Sequence, residues 1–176
     1  MTIEDFRSDH VPAVGELFAR LPESDLTFIK EDVSPQAVAA WPDAPGRRWV
    51  HVEPDGTVVG LAALLPLTGW SDHVGELRLV VDPAGRGRGI GRSLAQHALA
   101  HSLRSGQRKV VVEVPAAHER IIEMFLALGF TGEALLRDHF RDRSGALQDL
   151  IMLAHLADQT FESMSAVGLD DLLEGN

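Results

Sequence analysis

Residues 74–93 read VGELRLVVDPAGRGRGIGRS. The apolar run Val74, Leu77, Leu79 and Val81, with its alternation, predicts a strand, and Asp82-Pro83 ends it. Four glycines follow at every second position: Gly85, Gly87, Gly89 and Gly91. Arg86, Arg88 and Arg92 lie between and after them. A helical pattern begins at once, with Ile90, Leu94, Ala98 and His101 on one side and Leu99 and Leu103 beside it. So a strand feeds a glycine-arginine turn that opens a helix. Glycine lets main-chain N–H groups approach a ligand closely, and a helix start adds partial positive charge. Arginine adds planar, bidentate donors. The combination predicts a polyphosphate site.

Two familiar phosphate motifs do not fit. The dinucleotide pattern G-x-G-x-x-G would need glycine at Ile90 or Arg92. The P-loop G-x-x-x-x-G-K-[ST] fails because position 86 is arginine and no lysine follows Gly91. What fits is R-x-x-G-x-G, here Arg86-Gly87-Arg88-Gly89-Ile90-Gly91, three residues after Pro83.

The chain has 176 residues, 45% of them hydrophobic, which predicts one domain with a sizeable core. It has no cysteine, so it has neither disulfides nor a thiolate metal site or nucleophile. That suits a cytoplasmic setting. MTIEDFRSDH lacks the apolar core of a signal peptide, and no apolar run approaches membrane-spanning length. A net charge of −10 argues against general nucleic-acid binding. The charge is uneven. Residues 82–108 hold five arginines and one aspartate, and residues 156–176 hold five acids and no base. A basic island in an acidic chain suits one anionic cofactor. Only two of the basic residues are lysines, Lys30 and Lys109.

Along the chain, a strand is predicted at 2–7. A helix follows over 10–21, capped by Ser8 or Asp9, with Pro12 in its first turn. Residues 26–29 read ambiguously. Ser34-Pro35 caps a short helix to Ala40. Strands at 47–53 and 57–65, joined by Pro54-Asp55-Gly56, form a hairpin. The long helix runs from the phosphate turn to about Arg104. A buried central strand covers 110–114, interrupted only by Glu113. A helix over 117–128 ends at Gly129, and two strands near 135–142 and 147–156 close the pattern. The order is β α α β β β α β α β β. The fold class is α/β, with a mixed central sheet of about seven strands and about four helices.

These features resemble the GNAT acetyltransferase superfamily over nearly the whole chain to Leu156. R-x-x-G-x-G resembles its acetyl-CoA pyrophosphate loop. His118–Phe130, HERIIEMFLALGF, resembles its N-x-x-A-x-x-x-Y-x-x-x-G-F segment, and LRDHFRDRSGALQDLIML its final hairpin, with Asp149 starting the last strand. The resemblance implies a GNAT domain over 1–156, an acidic extension over 157–176, and a sheet splayed between strands 4 and 5. It implies transfer of acetyl from acetyl-CoA to a primary amine of a small molecule or protein. Acetyl-CoA is the co-substrate, and no metal, nucleic acid or membrane is involved. A homodimer is left open.

By the same resemblance, Leu79, Val80 and Val81 contact the pantetheine arm. Arg86, Gly87, Arg88, Gly89, Ile90, Gly91, Arg92 and Ser93 hold the pyrophosphate, and His118 and Phe125 also face the cofactor. Glu113 resembles a glutamate base of some protein N-terminal acetyltransferases. Glu76 stands where other members place a base acting through water. Each has a plainer reading: Glu113 as a solvated or paired strand residue, Glu76 as a cross-strand partner of an arginine. Two departures stand out. The chain has no tyrosine, so Phe125 stands where the family's thiolate-protonating tyrosine falls, and His118 replaces asparagine. Histidine as a residue type titrates near neutrality, which makes His118 a candidate for part of that acid role, although a surface residue at a helix start is the plainer reading. The missing tyrosine supports an alternative, an acyl-CoA-binding regulatory protein with little or no catalysis. His97 and His101 have metal-binding spacing but no evident third ligand. Trp41, Trp49 and Trp70 are candidates for an acceptor pocket or for ordinary packing.

Overall fold

The computed structural model describes residues 2–158. Seven strands form one sheet: β1 (Thr2–Asp5), β2 (Arg47–Val52), β3 (Val58–Pro66), β4 (Val74–Val81), β5 (Lys109–Pro115), β6 (Thr131–Arg141) and β7 (Leu147–Leu156). Their spatial order is β1-β2-β3-β4-β5-β7-β6. Neighbours are antiparallel except β4 and β5, which run parallel. A parallel pair requires a crossover, and α4 (Ile90–Arg104) supplies it.

The sheet has two unlike faces. On one, α4 and α5 (Glu119–Leu126) cover Ala62, Leu64, Leu77, Val110, Val112 and Val114. Alternation along β4 and β5 therefore turns Glu76, Arg78 and Glu113 to the other face. There α1 (Val11–Arg20) and α3 (Pro35–Ala40) bury Val14, Leu17 and Val38 against Val50, Val58 and Leu61. Gly60 allows α4 to lie directly on β3: a Cβ there would meet Ile90 Cγ2 and Leu94 Cδ1 at 2.9 Å.

Among the described residues there are five α-helices, where about four were expected. The additional one is a single turn, α2 (Glu23–Leu26), just ahead of and overlapping the ambiguous stretch. The predicted Ser34 cap is made, with Ser34 Oγ accepting from Ala37 N–H at 3.3 Å. The predicted Ser8 or Asp9 cap is not. His10 is the N-cap of α1, a 3-10 turn over Ser8–His10 precedes it, and no side chain caps the helix. β1 stops at Asp5, two residues early. β6 starts at Thr131, four early, because the chain enters the sheet as soon as Gly129 has turned it (φ +86°). Of the expected extension, only Ala157 and Asp158 are described. Ala157 N–H donates to Arg108 C=O at 3.0 Å, and Asp158 pairs with Arg108 at 2.5 Å.

Candidate active site

The expected splay is visible in the register. β4 and β5 pair only at Val74–Lys109, Gly75–Val110 and Glu76–Val111. Beyond that point β4 continues to Val81, paired with β3 on its other edge. Among the described residues, no strand meets the β5-facing edge of Leu77–Val81. The edge of Leu79, Val80 and Val81 is thus open to an extended ligand, while the Leu79 and Val81 side chains pack on the core.

At the end of that edge the chain is clamped. Asp82 is 6% exposed. Its Oδ2 accepts from Arg20 Nε at 2.6 Å, and its Oδ1 from Ala84 N–H at 2.9 Å. Arg20 also donates to Val58 C=O at 2.7 Å, so the last turn of α1 fixes where the glycine-arginine loop begins. In the loop, Gly87 and Gly89 adopt positive φ, +77° and +81°, a conformation that side chains resist. Gly85 is glycine for a different reason: a Cβ would meet Ile90 Cδ1 at 2.9 Å. Ile90 itself is core, 2% exposed. No main-chain acceptor among the described residues receives the amides of Gly87, Gly89, Ile90, Gly91 or Arg92. The next such bond is Ser93 N–H to Gly89 C=O at 2.9 Å. Arg92 and Ser93 are exposed. The other loop arginines have acidic partners: Arg86 pairs with Asp25 on α2, and Arg88 with Glu53 at 2.8 Å.

Glu76 and Glu113 are brought together, by a residue the sequence reading did not single out. Lys30 Nζ donates to Glu76 Oε1 and to Glu113 Oε2, each at 2.8 Å. Glu76 also accepts from Arg78 Nε at 3.1 Å and Arg78 Nη2 at 2.9 Å. Its arginine partner thus lies two residues along its own strand and not across the sheet. Arg78 reaches on to Glu31 at 3.5 Å, and Glu31 pairs with Arg48 at 2.8 Å. Asp25, Lys30 and Glu31 all come from the segment between α1 and α3. The sequence offered one signal for Lys30: a lysine kept where arginine is otherwise the rule.

Burial opposes the charge on Glu76, but the bonds from Arg78 and Lys30 outweigh it and hold the carboxyl below its ordinary value. Asp82 behaves alike, with burial opposed and outweighed by Arg20 and the Ala84 amide. Burial also opposes the Lys30 ammonium, and Glu113 and Glu76 raise it nonetheless. The signs follow. Lowered carboxyls contribute stability above their unfolded values and lose it as pH falls through the folded ones. Lys30 contributes below its unfolded value of 10.5 and loses its share as pH rises through the folded value. Burial also holds His51, His101 and His155 below their ordinary value, so the unfolded chain takes up those protons first. Thermal melting should therefore begin to fall below the ordinary histidine range and fall further below the ordinary carboxylate range. Asp82→Asn is expected to shrink that acid decline and to cost roughly 1–2 kcal/mol at pH 7. An unchanged acid limb in that variant would contradict the assignment.

A cavity of about 480 Å³ lies where Phe28 meets the ends of β5 and the β6–β7 hairpin. His118 and Asp149 line it, with Pro115, Phe140 and Gln148. The His118 ring stands edge-on to Phe28 at 4.7 Å, and Phe28 contacts Phe140 at 5.7 Å. Glu23 and Arg143 form an ion pair between α2 and the hairpin tip. Asp149 Oδ1 also accepts the Asp138 amide at 2.8 Å, where β6 breaks register between Leu136 and Phe140. Phe125 is not brought to this surface. It is 1% exposed and packs edge-on to Phe130 at 5.1 Å. Trp41 and Trp49 are core residues and Trp70 is 96% exposed. His97 and His101 are half-buried and both lie against Trp49, at 5.3 and 5.1 Å. Among the described residues, no three His, Asp or Glu side chains are grouped to hold a metal. Also among them, no helix is long and apolar enough to cross a membrane.

Residues 13–130 match the family model of the acetyltransferase (GNAT) family, and the chain belongs to that family. Among curated proteins, an uncharacterized N-acetyltransferase, YjgM, of Escherichia coli is 33% identical over 87 residues. That alignment covers 49% of this chain and 52% of the relative. A mycothiol acetyltransferase of Thermobispora bispora is 32% identical over 118 residues, 65% of this chain and 39% of its own length. The chain thus spans about half or less of the curated relatives it matches. Among solved structures, a GCN5-related N-acetyltransferase from Kribbella flavida superposes with a TM-score of 0.77 at 24% identity, over 88% of this chain and 96% of that one. It shares the fold.

Proposed function

We propose that the protein is an N-acetyltransferase that moves the acetyl group of acetyl-CoA to a primary amine. The observation that carries this reading is the open β4 edge running into the glycine-arginine loop, with Glu76 and Glu113 on the same sheet face as the opening. Leu79, Val80 and Val81 offer main-chain groups to pantetheine. The amides of Gly87–Arg92, with Arg86, Arg88, Arg92 and Ser93, bind the diphosphate, for which Arg86 exchanges Asp25 and Arg88 exchanges Glu53. Each charge-assisted bond contributes about 1.5–3 kcal/mol. The catalytic unit is residues 1–156, acting in the cytoplasm.

Attack on the thioester carbon needs a neutral amine. At pH 7 that costs roughly 4–5 kcal/mol for an alkylamine of lysine type but only about 1 kcal/mol for an α-amine. Glu113 is the base favoured here. Glu76 is held by both Arg78 contacts and lowered, which makes it a weak proton acceptor. Among the described residues Glu113 accepts from Lys30 alone. As the C–N bond forms and the C–S bond breaks, the thiolate takes its proton from His118 or water, because Phe125 has no hydroxyl. That missing hydroxyl favours the second reading, an acyl-CoA-binding regulator.

Release of coenzyme A thiol from acetyl-CoA over a panel of primary amines separates the two readings. The chain has no cysteine to add background. Turnover on any amine supports the transferase. Binding of acetyl-CoA without turnover on any of them supports the regulator.

A further inference from the structure

Lys30 is a side chain that the mechanism above has no use for, yet it sits between the two carboxylates the mechanism needs. We propose that Lys30 determines acceptor specificity: its ammonium holds the place of the acceptor's own ammonium between Glu76 and Glu113, so the acceptor must enter as a cation that displaces it. The proposal rests on the acetyltransferase reading and adds the acceptor's charge class and the residue that selects it.

Three observations carry it. The first is position. Nζ lies 2.8 Å from a carboxylate oxygen on each strand flanking the splay. The second is charge. The network holds Glu31, Glu76 and Glu113 against Arg48, Arg78 and Lys30, and so balances. Moving Lys30 out leaves one half-buried negative charge uncompensated, and only an incoming cation restores the balance. A neutral amine or alcohol of the same shape cannot. The third is mobility. The Arg48 side chain is 6% exposed and that of Arg78 25%, with Arg78 held at two points. Lys30 is 44% exposed, carried on four methylenes from a stretch outside any helix or strand. Of the three bases it is the one free to swing away.

The neighbouring cavity gives the acceptor's shape. Phe28, two residues before Lys30, and Pro115, two after Glu113 on the same strand face, line it with Phe140 and His118. Asp142, Gln148 and Asp149 also line it, so the acceptor is a primary ammonium whose body has an apolar face for Phe28 and Phe140 and polar groups for these side chains, with the nitrogen at Glu113.

The chain's two lysines make the test direct. Protein labelled at lysine Cε gives one signal from Lys30 and one from Lys109, which pairs with Glu133 at 2.5 Å on a different strand pair. With coenzyme A present, n-butylammonium chloride should shift the Lys30 signal saturably and leave that of Lys109 in place, while n-butanol should shift neither. In kinetics, Lys30→Met should lower KM for ammonium acceptors about two- to fivefold with kcat and the KM for acetyl-CoA little changed, and Lys30→Arg should keep KM at or above the wild-type value. A Lys30 signal indifferent to butylammonium, or a KM that rises in a normally melting Lys30→Met protein, would overturn the proposal. If no amine is turned over by any form, the acetyltransferase reading fails, and the labelled-lysine titration still decides the role of Lys30.

Discussion

Glu113→Gln is expected to lower kcat/KM for an alkylamine acceptor about 10²–10⁴-fold at pH 7, the range one positioned proton acceptor supplies. The same substitution should matter far less for an acceptor with an α-amine, which is partly neutral already. The difference between the two acceptors is the informative quantity. A residue that merely shapes the cleft would depress both alike. Raising the pH should restore much of the loss with the alkylamine, because solvent then supplies the neutral form. Glu76→Gln should do less to the chemical step, since Glu76 is already committed to Arg78. Its removal strips Arg78 of its bidentate partner, so melting temperature should fall more than in Glu113→Gln. An equal loss on both acceptor types would remove Glu113 from the role of base.

Phe125→Ala is expected to cost about 3–5 kcal/mol of stability. The side chain is 1% exposed, lies edge-on to Phe130, and belongs to the core that joins α4 and α5 to the sheet. For a domain of this size that corresponds to a melting temperature lower by roughly 6–20 °C. Phe125→Tyr is the sharper variant. Where Phe125 lies, a phenol would be buried and need a partner of its own. It should melt lower than the parent and not raise kcat. A faster Phe125→Tyr enzyme would mean that the ring reaches the thiol in the working complex.

The part of the fold that was legible in the sequence is the part governed by short-range rules. Val74–Val81, the glycine-arginine turn and Ile90–Arg104 follow from apolar spacing and from glycines whose positive φ the structure shows at positions 87 and 89. The splay came from resemblance and is seen in a register that ends at Glu76–Val111. What the sequence hid were contacts between distant segments. The pairings of Lys30 with Glu76 and Glu113 span 46 and 83 residues, and that of Arg86 with Asp25 spans 61. No periodicity encodes them. The single turn at Glu23–Leu26, which starts the segment contributing Asp25, Lys30 and Glu31, is too short for a helical stripe to be read. The environment of Phe125 was equally hidden. Its missing hydroxyl was plain, but its burial against Phe130 depends on how α5 packs.

Calorimetric titration of acetyl-CoA into the wild-type protein and into Gly89→Val tests the central claim most directly. A Cβ at residue 89 would meet no neighbour within 4 Å, but a β-branched residue there must adopt φ near +81°, so the substitution acts first on the loop backbone. The account predicts saturable binding by the wild type and affinity at least about fivefold weaker in the variant. No binding by the wild type, or equal binding by both proteins, would contradict it.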